Sequence, residues 1–380
     1  MKLGILKETF PGETRVATTP DVVKKLATKG IETVVEAGAG RESSHGDDAY
    51  REAGATVTDN RGEILSQADV VCCINPLPPE DAGQIKEGGV LLCHLQPTTH
   101  LDLIRVLKDR KITGLSFDQV PRITRAQKID SLSAMGSIAG YKSVLLAADA
   151  SDKYFPMLMT AAGTITPAKV FIIGAGVAGL MAIATAKRLG AIVESYDVRP
   201  EVKEQVESLG AKFIEFNIES ASGEGGYAKE LTPEQLKQQQ DAMRDHIAGV
   251  DVVISTAMVP GRPAPKIITE DMVSKMRFGS VILDLAAQTG GNCVLTKPGE
   301  TILHNGVKII GPINLPATMP FHASDMFARI VSNLLLDLVN DEGQLVLDME
   351  DEVVDGMAVV HAGEVRHALT REAMGEGGES

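Results

Sequence analysis

Residues 170–197 open with Val170-Phe-Ile-Ile173 and Gly174-Ala-Gly176-Val-Ala-Gly179. A helical run to Gly190 follows, then Ile192 to Tyr196 and Asp197. The order strand, glycine turn, helix, strand, acid is that of a dinucleotide-binding βαβ unit. The first glycine permits the tight turn, the second lets backbone N–H groups approach a pyrophosphate, and the third lets helix and strand pack closely. The phosphates then meet the positive N-terminus of the helix. Asp197 stands 18 residues after Gly179, where a carboxylate accepts from the adenosine ribose hydroxyls. It favours NAD over NADP, because a 2′-phosphate would meet a like charge, whereas Arg199 two residues on acts against that preference.

Short apolar strands alternate with helical segments on both sides of this unit, which is α/β wiring with parallel sheets. Upstream, Lys2–Leu6, Glu32–Glu36, Ala68–Ile74, Val90–Leu95 and Lys111–Ser116 read as strands, and a helix begins at Pro20 behind Thr19 and ends near Gly30. The glycine turn in this half, Gly38-Ala-Gly40-Arg-Glu-Ser43, lacks a third glycine, which argues against a second nucleotide site. Downstream lie strands at Lys212–Phe216, Val250–Thr256, Ser280–Leu285 and Lys308–Gly311. Two long helices, Ser133–Tyr154 and about Ala323–Val339, carry the chain between the two halves. The Phe327, Ile330, Val331, Leu334, Leu335, Leu338 stripe of the second is read as core or a dimer face. Short strands at Gln344–Leu347 and Met357–His361 return to the first half, and a Gly/Glu-rich tail ends the chain without fixed structure. The expected fold is α/β, two Rossmann-like doubly wound domains joined by long helices. Residues 1–132 with 320–380 form one domain and residues 133–319 the nucleotide-binding one.

At 380 residues, 44% of them hydrophobic, the chain is long enough for two full cores. Its net charge of −14 excludes the basic surface that nucleic acid or an anionic membrane requires. No apolar run is long enough to span a bilayer, and Met1-Lys-Leu-Gly-Ile-Leu-Lys7 reads as a strand, not a signal peptide. Cys72, Cys73, Cys93 and Cys293 show no metal-ligand spacing and are expected as buried, reduced thiols. The eight histidines contain no HExxH-like pair, so no metal is expected, and there is no G-x-S-x-G elbow.

Three segments could carry chemistry. Pro121-Arg122-Ile-Thr-Arg125-Ala-Gln127-Lys-Ile-Asp130-Ser131-Leu-Ser133 gathers guanidinium, amide, carboxylate and hydroxyl groups before the first long helix. It either holds the amide and ring of a nicotinamide or caps the helix with Asp130 or Ser131. Thr256-Ala257-Met258-Val-Pro260-Gly-Arg-Pro-Ala-Pro265 follows a strand and faces the cofactor crevice, unless its prolines only stiffen a turn. The glycine-rich stretch from Asn217 to Glu230, with Tyr227 as its one aromatic, is either a lid or an ordinary loop.

Taken with Gly12-Glu-Thr-Arg15-Val-Ala, Ile138-Ala-Gly-Tyr141, Thr160-Ala-Ala-Gly163, Lys203-Glu-Gln-Val-Glu-Ser208, Gly226-Tyr-Ala-Lys229 and Asp284-Leu-Ala-Ala-Gln288-Thr-Gly-Gly-Asn-Cys293, these segments resemble the NAD(H)-binding domain I of proton-translocating nicotinamide nucleotide transhydrogenases. The likeness is to the form whose alpha subunit is split, and it covers nearly the whole chain. The fold also resembles that of alanine dehydrogenases. Those enzymes place a lysine and a histidine on their substrate where this chain has Asn75 and Gln96, and an acid where it has Gln288. An amino-acid dehydrogenase needs such groups to manage the substrate proton, whereas hydride passing between two nicotinamides does not.

The resemblance implies a Re/Si-specific oxidoreductase that binds NAD(H) in a cleft between its domains and passes hydride directly to NADP⁺ on a partner subunit. It assigns Arg122, Gln127, Asp130 and Ser133 to the dihydronicotinamide. Gly174, Gly176, Val177, Ala178, Gly179, Asp197, Val198 and Arg199 hold pyrophosphate and ribose, with Thr256, Ala257, Met258 and Pro260 lining the crevice and Tyr227 closing over it. It also implies a homodimer at the cytoplasmic face of the inner membrane, held there by membrane-spanning and NADP(H)-binding partners that carry out proton translocation, with no membrane insertion of its own. Met135-Gly136-Ser137 departs from the more polar run, ending in Asn, of that family.

Overall fold

The computed structural model describes residues 1–216, 231–258, 263–340 and 342–376. In chain order its strands are β1 Lys2–Ile5, β2 Glu32–Glu36, β3 Thr56–Thr58, β4 Val70–Cys72, β5 Val90–Cys93 and β6 Thr113–Ser116, then the hairpin β7 Leu158–Thr160 and β8 Gly163–Ile165. β9 Lys169–Ile173, β10 Ile192–Tyr196, β11 Lys212–Phe213, β12 Val252–Ser255, β13 Val281–Asp284, β14 Thr301–His304 and β15 Val307–Ile310 follow, and β16 Ala358–His361 and β17 Glu364–Val365 close the set.

The chain divides into two compact units, one of Met1–Ala134 with Ala317–Ser380 and one of Met135–Pro316. In the first, the sheet order is β17-β16-β6-β5-β4-β1-β2-β3. β1 to β6 are parallel, and β16 adds antiparallel to β6 with Ala358 opposite Leu115. In the second the order is β11-β10-β9-β12-β13-β15-β14, parallel except for the last pair. Each sheet therefore runs 3-2-1-4-5-6 in its parallel part, the doubly wound order, and reverses direction at one point. That point lies between β1 and β4 in the first unit and between β9 and β12 in the second. Central strands read as unbroken apolar runs because both faces are covered: Val170, Phe171, Ile172 and Ile173 of β9 are each at most 1% exposed.

Helices begin where caps and prolines allow. Pro20 occupies the first position of Pro20–Ala27 behind Thr19, and Val22, Val23 and Leu26 face inward. Helix Ser131–Ala150 carries the chain across the boundary at Ala134, starting two residues before the expected Ser133 and ending before Tyr154. Pro320–Leu338 buries the expected Phe327 to Leu338 stripe in the first unit.

Two expectations at the C-terminus need correction. Gln344–Leu347 is not a strand; only a single bridge joins Val339 and Leu345, because Asn340 Oδ1 accepts from the Glu342 and Gln344 N–H groups and turns the backbone back. Ala368–Ala373 forms a helix that packing against β17 supports, before a tail that leaves the described residues at 377. All four cysteines are free thiols and buried, and burial pushes Cys72 and Cys93 well above the usual thiol range.

Candidate functional site

In the second unit the glycine turn stands at the carboxyl end of β9, beside the point where strand order reverses. Gly174 has φ +96°, and a Cβ there would come within 2.5 Å of Thr256 Oγ1, so only glycine satisfies both backbone and space. A Cβ on Gly179 would run into the Gly174 carbonyl oxygen, with the carbonyl carbon 2.8 Å away. The third glycine is thus a packing requirement of helix Val177–Arg188 on β9.

Gly176 is different. It caps the same helix without offering a side chain, and a Cβ placed on it meets nothing within 4 Å. The chain has no packing reason for glycine there, and the first-turn N–H groups of Val177, Ala178 and Gly179 are left by helix geometry to an external acceptor. An open cradle at a positive helix end fits a pyrophosphate. Gly140 lets helix Ser131–Ala150 approach this turn, since a Cβ on it would lie 3.0 Å from Ala178 Cα.

Asp197 follows β10 and is buried. Its Oδ2 accepts from the Ala175 N–H at 2.7 Å, which ties it to the glycine turn. Arg199 donates to the same carboxylate from Nε at 2.9 Å and Nη2 at 2.8 Å, and its own N–H adds a third bond at 2.9 Å. The hydrogen bonds to Asp197, with its charge, hold the Arg199 guanidinium above its ordinary pKa. The sequence sets Arg199 against Asp197 as a possible 2′-phosphate ligand; in the structure the guanidinium is a clamp on the acid instead.

At the end of β12, Thr256 Oγ1 donates to the Ile173 and Gly174 carbonyls. Asn292 grips the next residue from both sides: its Oδ1 accepts from Ala257 N–H and its Nδ2 donates to the carbonyls of Ala257 and Pro265. Buried Asp284 in turn accepts from Ser255 Oγ, Thr296 Oγ1 and the N–H groups of Ala286 and Cys293. Asn292 and Asp284 were no part of the expected site. Their place in and before the Gly290-Gly-Asn segment after a sheet strand is the only sequence signal they carry. Met258 is exposed and Val198 half-buried, whereas Pro260, Tyr227 and the whole of 217–230 lie outside the described residues.

The first unit places a polar cluster at its own reversal point. Glu13 and Arg15 form a buried two-bond pair, Nε–Oε1 at 2.7 Å and Nη2–Oε2 at 2.6 Å. Asn75 Nδ2 donates to both Glu13 and Glu8, at 3.0 and 2.9 Å. Burial alone would raise the Glu13 carboxyl, but the Arg15 guanidinium and the Asn75 amide outweigh it and bring it down to about 2. Burial raises Glu8. Gln96 is exposed with φ +46°, and Gln288 is exposed in the second unit.

Asp130 is the cap of helix Ser131–Ala150: Oδ1 accepts from the Ser133 N–H at 2.9 Å and Oδ2 from Ser133 Oγ at 2.6 Å. The helix-cap role left open by the sequence is therefore real, and it preforms an Asp130–Ser133 pair. Arg122 and Gln127 are exposed. His94, which the sequence did not single out, has its Nε2 2.8 Å from Ser131 Oγ and Nδ1 3.1 Å from the Ile74 carbonyl. Among the described residues no three His, Cys, Asp or Glu side chains are placed to hold a metal, and no helix is long and apolar enough to cross a membrane.

The family model for the alanine dehydrogenase/PNT N-terminal domain matches residues 4–139, and that for the C-terminal domain matches residues 143–368. The chain belongs to the alanine dehydrogenase/PNT family. Within it, the chain is 48% identical over 380 residues to the first of the chains that make up the NAD(P) transhydrogenase alpha subunit of Rhodospirillum rubrum, covering 97% of this chain and 99% of that one. The crystal structure of transhydrogenase from Sinorhizobium meliloti superposes with a TM-score of 0.87 at 40% identity, covering 96% of this chain and all of that one. Alanine dehydrogenase 2 of Staphylococcus aureus is more distant, at 30% identity over 84% of this chain and 82% of its own length. The family's two domains correspond to two mainly parallel sheets, and the doubly wound fold expected from the sequence is the fold found.

Proposed function

We propose that this chain is the NAD(H)-binding component of a Re/Si-specific, proton-translocating transhydrogenase. The observation that carries the reading is the open Gly176 cradle at a helix N-terminus, tied through Ala175 to a buried acid. Bound there, NADH supplies a hydride that passes directly to NADP⁺ held by a partner subunit. The Rhodospirillum rubrum relative is named as one portion of an alpha subunit, which supports the expectation of partners. Membrane-spanning partners would move the proton and hold this chain at the cytoplasmic face of the inner membrane.

The chain's own task is alignment. Val177, Ala178 and Gly179 receive the pyrophosphate on their N–H groups, and Asp197 takes the ribose hydroxyls by sharing or displacing the Arg199 bonds. Thr256, Ala257, Met258 and Pro260 line the crevice. Arg122, Gln127 and the Asp130–Ser133 pair fix the dihydronicotinamide, and Tyr227 closes on it. Transfer between two nicotinamides changes no substrate proton, so positioning and exclusion of water are the requirements, and neutral Asn75, Gln96 and Gln288 suffice.

The purified chain should bind NADH at least ~10-fold more tightly than NADPH, because a 2′-phosphate would face the Asp197 carboxylate. Nucleotide-fluorescence titration reads this directly; equal affinity would overturn the assignment of Asp197. Among the described residues the hairpin β7–β8 pairs with no other strand, and it leaves Met159 79% and Met157 59% exposed. A two-stranded hairpin is poorly stable alone, which supports a homodimer seated on it. Sedimentation should return twice the 40.3 kDa chain mass and fall to one chain in Met159→Asp; a monomeric wild type would contradict it.

A further inference from the structure

The end of helix Ser131–Ala150 that carries Asp130 and Ser133 is held by one side chain outside the expected site. His94 follows β5 directly, at the carboxyl end of the first unit's sheet and next to Ile74, which lies just past β4. The Ile74 carbonyl accepts twice from His94, from its backbone N–H at 3.0 Å and from Nδ1 at 3.1 Å. A carbonyl cannot donate, so Nδ1 carries the ring proton and Nε2 keeps its lone pair. Nε2 therefore accepts from Ser131 Oγ, 2.8 Å away, and Ser131 is fully buried. The ring is packed against Phe117, centroids 6.0 Å apart, and Phe327, 5.6 Å apart, so it has little freedom to turn. Burial lowers the imidazole pKa, with Asp118 and Glu13 opposing and Arg15 assisting, which keeps the ring neutral.

Resting on the transhydrogenase reading above, we propose that His94 is a positioning residue for hydride transfer: by accepting the Ser131 hydroxyl it fixes the first turn of the helix whose cap pair, Asp130 and Ser133, orients the nicotinamide. The adenosine half of the cofactor is gripped elsewhere, by residues of the second unit. Loss of the His94 bond should then lower the transfer rate far more than NADH affinity, since a misplacement of about an ångström at the reacting centre costs up to ~100-fold in rate.

The test measures NADH affinity and the rate of hydride transfer to an NADP⁺ analogue, with partner subunits present, for four variants. His94→Phe keeps the ring packing and loses the acceptor; His94→Gln places an amide oxygen where Nε2 stood; Ser131→Ala removes the donor from the other side; the fourth combines His94→Phe with Ser131→Ala. The expected result is a roughly 10-fold slower rate for His94→Phe and for Ser131→Ala, with NADH affinity within about 3-fold of wild type. The double variant should be no slower than either single one, and His94→Gln should lie within about 3-fold of wild type. Equal rates for wild type, His94→Phe and Ser131→Ala would overturn the proposal. So would a loss in His94→Phe that His94→Gln fails to restore while Ser131→Ala stays active. If the wild type itself transfers no hydride with its partners, the transhydrogenase reading fails instead, which separates the two.

Discussion

Gly176→Ala should leave the fold within about 0.5 kcal/mol of wild type and weaken NADH binding by ~100-fold or more, about 2.7 kcal/mol. Its φ of −75° and ψ of −170° suit any residue, and the added methyl meets no protein atom within 4 Å. The space it fills is the one a pyrophosphate must enter to reach the N–H groups of the first helical turn. Gly179→Ala should also abolish binding, but through the fold: its methyl meets the Gly174 carbonyl oxygen, and relieving that contact pushes the helix off β9. Overpacking of this kind costs ~1–3 kcal/mol, so this variant alone should show a lowered denaturation midpoint. Calorimetric NADH titration combined with urea unfolding distinguishes the two. A Gly176→Ala chain that binds NADH normally would place the nucleotide somewhere other than this turn.

That contrast marks what the sequence makes legible and what it does not. The strand–glycine–helix–strand–acid order is local: the whole of it lies within residues 170–197, and backbone sterics dictate the glycines one by one. The strands of both sheets are legible for a related reason, since parallel strands covered on both faces must be nearly all apolar. Contacts between distant segments leave no such trace. Asn75 and Glu13 are 62 residues apart, and His94 and Ser131 are 37 apart. Nothing in either segment alone signals the pairing, so His94 reads as one histidine among eight until the sheet brings it to the helix end. Arg199 shows the same limit at short range. Two residues from Asp197 it could point at a ligand or at the acid, and only the side-chain geometry shows that it grips the acid through Nε and Nη2.

The second large effect concerns the reaction itself: the chain should oxidise no amino acid. General acid–base groups contribute ~10²–10⁴-fold to such a step, and the positions that would supply them hold Asn75, Gln96 and Gln288. The carboxylates nearby do not substitute for them. Glu13 is locked to Arg15 through two bonds, and Glu8 accepts from the Ile74 N–H and from the N–H and amide of Asn75. Both are spent on structure at the sheet's reversal point. A step that moves hydride from one nicotinamide ring to another asks nothing of these groups, and the same residues that preclude dehydrogenase chemistry are neutral toward it.

The most direct test of the transhydrogenase role is hydride transfer from NADH to an NADP⁺ analogue of shifted absorbance, followed with and without membranes carrying the remaining transhydrogenase subunits. L-alanine and NAD⁺ given to the chain alone form the second arm. Transfer should occur only when those subunits are present, and alanine should yield no NADH. Formation of NADH from alanine by the isolated chain, or no transfer in the presence of the subunits, would contradict that role.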